Sequence, residues 1–115
     1  MPTAIDKEFY RQEKLEWRGV WNIPITADCA ADLANRLLAA VGEHHISVRV
    51  MVGAEWHEAY QDRIDFIANE ITTQTVIHEV AHVIQIRNDG VYSPDHCENL
   101  WMTMGLLQCV LEECL

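Results

Sequence analysis

No lysine follows Lys14, no cysteine pair has the C-x-x-C spacing, and no apolar run nears the length of a membrane span. Each absence excludes something. Eighteen acidic against eight basic side chains give a formal charge of −10, and independent binding to nucleic-acid phosphates needs clustered Lys and Arg. A membrane helix needs roughly 18–20 consecutive apolar residues, so no membrane association is expected. Cys29, Cys97, Cys109 and Cys114 form no regular framework and read as reduced, small hydrophobic residues of a cytosolic protein. The stretch Met1 to Arg18 is charged and has no apolar signal core. The expectation is a soluble, cytoplasmic protein. There is no internal repeat and no low-complexity tract.

What is there is a globular composition. Half of the 115 residues are hydrophobic, which argues against disorder, and the length suits one domain with a real core. Residues 1–24 read as an N-terminal extension, with an amphipathic helix over Asp6–Trp17 stopped by Gly19 to Pro24. Thr26 or Asp28 can cap a helix to about Val41, with Ala30, Leu33, Ala34, Leu37, Leu38 and Val41 at the 3.6 period and Gly42 ending it. Ile46, Val48, Val50 and Val52 alternate with Ser47, Arg49 and Met51 as a half-buried strand. After a connection over Ala54 to Arg63, Ile64, Phe66 and Ala68 alternate as a second strand. A last helix carries Leu100, Met104, Leu107 and Leu111 as a core stripe.

Between Ile64 and Asp89 there is no Gly or Pro, and Thr72 or Thr73 can cap a helix running to about Arg87. Within it stands His78-Glu79-Val80-Ala81-His82, the pattern H-E-x-x-H. On a helix, residues four apart are about 5–6 Å apart at Cβ, close enough to share one metal ion. Zinc accepts imidazole nitrogen at about 2.0–2.1 Å, and its catalytic sites take three protein ligands and leave one position open. Glu79 stands about 100° round the helix from His78, beside the metal rather than on it. A carboxylate there can act as general base toward the attacking water. Val76, Ile77, Val80, Ala81, Val83 and Ile84 surround the trio, and buried polar groups in such company need partners or a metal.

Two histidines do not complete such a site. His96 lies beyond a loop at the mouth of the last helix and is the leading third ligand; Glu98 and Asp95 are the alternatives. The oxyanion of a tetrahedral intermediate needs a further donor, for which His57, Tyr60 and Tyr92 are candidates.

Ile77-His78-Glu79-Val80-Ala81-His82, followed by His96-Cys97-Glu98-Asn99-Leu100-Trp101, resembles the SprT-like metallopeptidases and related small zincins. In that family a third His opens a phrase of the type H-x-x-x-[FW] and supplies the last zinc ligand. Here Leu100 takes the usual aromatic position and Trp101 follows one place later. Upstream, Tyr60 and Ile64-Asp65-Phe66-Ile67 resemble the aromatic and strand before the active-site helix, so the likeness spans roughly residues 46–105. It implies an α+β, minimal zincin-like fold over residues 25–115: N-terminal helix, small β-sheet, HExxH helix and C-terminal ligand-bearing helix. Family members that act on DNA–protein crosslinks add DNA-binding elements; no zinc-ribbon cysteines and no basic patch stand here. Asp95, Glu98, Asn99 and Trp101 also loosely resemble the E-x-x-A-N-x-F phrase of ImmA/IrrE-like phage-regulator peptidases, in which an acidic residue is the third ligand.

The resulting expectation is a zinc metallopeptidase with one Zn²⁺ per chain and a protein or peptide substrate. Oligomeric state is left open. The alternatives are a non-catalytic metal-binding domain, or an acidic interaction or inhibitor protein, phage-related in type, that keeps the motif.

Overall fold

Thr26 opens the first helix: its hydroxyl accepts the Cys29 N–H at 3.2 Å, the bond that makes Thr a good N-cap. Helix α1 (Ala27–Ala40) buries Ala30, Ala34, Leu37 and Leu38 along one face. Gly42, at φ 79, turns the chain out through the left-handed region that glycine enters without strain. The computed structural model describes residues 23–89 and 98–114. The sequence-predicted helix over Asp6–Trp17 lies outside them.

Three strands follow: β1 (Ser47–Met51), β2 (Glu58–Ala59) and β3 (Arg63–Ile67). They form one sheet of order β1-β3-β2. β1 runs parallel to β3, with Val48 opposite Ile64 and Val50 opposite Phe66, and β2 runs antiparallel, with Glu58 opposite Asp65. The connection expected over Ala54 to Arg63 therefore contains a strand. β2 uses the return stroke between two parallel neighbours, and Tyr60 N donates to Arg63 O at 2.8 Å to close the turn. The alternating apolar residues in and beside β1 are only partly covered: Ile46, before the strand, is buried and Val48 half-buried, while Val50 is 42 % and Val52, past the strand, 92 % exposed. α1 packs on β1, whereas the longer helix α2 packs over β2 and β3, so the far end of β1 extends past the covering layer.

Helix α2 (Thr73–Asp89) starts where the Thr72 hydroxyl accepts the Thr75 N–H at 3.2 Å. Its entry is pinned from outside. Thr73 N donates to Ile23 O and Ile25 N donates to Ile71 O, both at 3.0 Å. Ile23 and Pro24, which the sequence assigns to the extension, thus bond to the foot of this helix through an antiparallel bridge of Pro24 with Thr72. At the other end Arg87 donates to Gln61 O at 2.8 Å, His44 O at 3.0 Å and Glu43 Oε2 at 3.3 Å. Helix α3 (Glu98–Cys114) completes the layer.

The core lies between the sheet and the helices. Ile64 and Phe66 from β3 meet Val76, Ile77, Val80 and Val83 from α2, and Leu100, Met104 and Leu107 from α3 close the far side. Burying each large side chain is worth about 1.5–3 kcal/mol. Among the described residues three helices and a three-stranded sheet make an α+β fold, and α2, packed against α1, α3 and the sheet, is its central element. Among the described residues no helix is long and apolar enough to cross a membrane.

Candidate metal centre

α2 is buried on nearly every side, yet His78, Glu79 and His82 stand within it at 4 %, 6 % and 5 % exposure. The 3.6 period brings the two imidazoles together: their Nε2 atoms are 3.1 Å apart, with ring centroids 4.8 Å apart and planes inclined at 63°. Two nitrogens on a tetrahedral zinc, each about 2.0–2.1 Å from the ion, lie about 3.3 Å from each other. The pair is therefore within a few tenths of an ångström of the spacing that a shared ion requires.

The His82 tautomer fits as well. His82 Nδ1 is 3.2 Å from Gln85 Oε1, an amide oxygen that can only accept, so Nδ1 carries the proton and the Nε2 lone pair faces His78. A metal-bound imidazole is held in this way, by a hydrogen bond from its second nitrogen. The spacing of three between His82 and Gln85 is the sequence signal for this support.

Among the described residues no group of three His, Cys, Asp or Glu side chains is gathered round one point. His96, Asp95 and Tyr92 lie outside those residues, and Glu98 is placed as the first residue of α3. The described part of the chain thus supplies two convergent imidazoles and an adjacent carboxylate. Donor type, spacing and the His82 tautomer suit zinc.

His57 and Tyr60 have their polar atoms engaged. His57 Nδ1 accepts the Ile67 N–H at 2.9 Å, and its ring stands edge-on to Phe66 with centroids 5.7 Å apart. Burial holds this imidazole below its ordinary titration range. The charge of Glu70 pulls it back up, nearby His78 lowers it further, and a backbone hydrogen bond with Glu70 opposes that. A neutral His57 that keeps its Nδ1 lone pair is what the Ile67 N–H requires. The Tyr60 hydroxyl donates to Glu58 Oε2, and the Arg63 guanidinium sits 4.4 Å above its ring. The Tyr60 hydroxyl and the Trp56 indole together hold the Glu58 carboxyl below its usual range.

One feature was not picked out from sequence. Gln74, one turn before His78, is 8 % exposed, and neither its Oε1 nor its Nε2 has a hydrogen-bond partner.

Compared with protein-family models, with curated proteins and with solved structures, the chain matches none.

Proposed function

We propose that this chain is a zinc-dependent metallopeptidase of minimal zincin type, related to the SprT-like enzymes. The observation that carries the reading is the convergence of the His78 and His82 Nε2 atoms at 3.1 Å inside an apolar helix. Two imidazoles turned toward one another in so buried a place are what two ligands of one ion look like.

In this reading His78 and His82 are two ligands of one Zn²⁺ and His96 is the third. The metal, when bound, polarises the substrate carbonyl and makes water a nucleophile at neutral pH. The remaining work falls to the chain. Glu79 takes the proton of the attacking water and delivers it to the leaving amine. Gln85 fixes the orientation of His82. An extended peptide is received by adding to an edge of the sheet, along β1 or the segment that follows it. Cys29 and Cys109 are exposed free thiols, which suits a reducing, cytoplasmic setting.

The test is metal content by elemental analysis, without a metal-binding tag, together with hydrolysis of an unstructured protein. The wild type is expected to hold one zinc per chain and to cleave. Glu79→Gln should keep the metal and lose cleavage, and His96→Ala should lose or weaken the metal. A wild type that takes up no zinc on reconstitution overturns the reading.

A further inference from the structure

Gln74 is, among the described residues, the one buried side chain with every polar atom unpartnered. Arg87 Nη2 shares the lack of a hydrogen bond but still has Asp62 Oδ1 at 3.6 Å. Burying an amide with neither donor nor acceptor satisfied is costly, and native structures keep such groups for water, an ion or a ligand. The position is informative. Gln74, His78 and His82 follow one another at intervals of four along α2, so they share one face of the helix, a turn apart. Gln85, on the same stripe, is already committed to His82.

We propose that the Gln74 carboxamide binds the backbone of the substrate beside the metal centre, its NH₂ donating to a peptide carbonyl and its oxygen accepting a peptide N–H. The inference rests on the metallopeptidase reading and adds a residue to it. Whatever satisfies Gln74 must offer an acceptor for its NH₂ and a donor for its oxygen together. A peptide group meets both conditions. A buried water also meets them, and the experiment separates the two.

The zinc-reconstituted protein is titrated with two probes: acetohydroxamate, which reaches only the metal, and an N-acetyl dipeptide hydroxamate, which adds peptide groups. Gln74→Leu and Gln74→Met are compared with the wild type for both probes, for zinc affinity and for melting temperature. The expected result is a loss of at least about tenfold in affinity for the dipeptide probe. Acetohydroxamate and zinc should bind as before, and the melting temperature should be equal or higher because an unsatisfied group has gone. Unchanged dipeptide affinity overturns the role of Gln74 and leaves the metallopeptidase reading standing. Lower melting temperatures in both variants, with both probes bound as in the wild type, mean that a water satisfies the amide and also overturn the proposal. A wild type that binds zinc but neither hydroxamate overturns both readings.

Discussion

The amide oxygen of Gln85 lies 3.2 Å from Nδ1 of His82, one turn back along α2. That contact decides which nitrogen of the ring carries the proton, and therefore which one turns its lone pair toward His78. Gln85→Leu removes the acceptor without disturbing the helix. Zinc affinity is expected to fall by about 10–100-fold, with the thermal melt of the metal-free protein little changed. Competition against a chromophoric chelator measures this; an affinity equal to wild type would show that His82 orients itself.

A second relation concerns Asp65, whose side chain is only 1 % exposed although it is ionisable. Arg49 Nη2 reaches it at 2.9 Å and Arg63 Nε at 2.8 Å, so the central strand is tied to its parallel neighbour by a side-chain bridge across the register. Arg63 Nη2 adds a third bond at 3.3 Å; Asp65→Ala strips all three and leaves two partly exposed guanidinium groups that turn to water. The loss is expected to be about 2 kcal/mol, read from urea unfolding. Arg49→Ala should cost less, because Arg63 stays on the carboxylate.

His57 makes stability depend on pH with a defined sign. Its folded pKa lies below the unfolded reference of 6.5, first because of burial. Between the two values the unfolded chain binds a proton that the folded one refuses, so stability rises with pH there. The contribution is complete above 6.5 and is lost as pH falls through the folded value. His57→Asn keeps an acceptor for the Ile67 N–H and does not titrate. Urea midpoints followed from neutral to mildly acidic pH should fall more steeply for the wild type than for this variant; parallel curves would remove His57 from the account.

Arg87 holds the end of α2 to two separate loops through Gln61 O and His44 O. A lysine keeps the charge but not the planar fork that spans both carbonyls. Arg87→Lys is expected to cost about 1–3 kcal/mol. Amide exchange should quicken in residues 43–44 and 61–62 before it does at Phe66. Uniform quickening would mean that the clamp is only part of the global fold.

The helices were the most legible part of the chain. α1 and α2 announce themselves through apolar residues at the 3.6 period, a capping Thr at each start and an unbroken run free of Gly and Pro. The same period made the His78–His82 pair readable, since a spacing of four on a helix leaves little choice of geometry. β2 was not readable: two residues are too few to show alternation, and Ala59 carries no β-branch. Nor does alternation disclose direction, so the parallel pairing of β1 with β3 had to come from the fold. Gln74 was invisible for another reason. A glutamine in a helix sequence usually signals solvent, and only the fold shows this one to be buried.

β1 forms one border of the sheet, and among the described residues nothing pairs with its outer side. Val50 and, just past the strand, Val52 are exposed, and exposed apolar strand borders template the pairing of one copy with another. What holds copies apart is mutual repulsion from a net charge of −10, which reaches about 10 Å at 0.1 M salt and about 3 Å at 1 M. Colloidal behaviour should therefore turn on ionic strength: dilute buffer keeps the particles dispersed, and concentrated salt brings the valine borders within reach of one another.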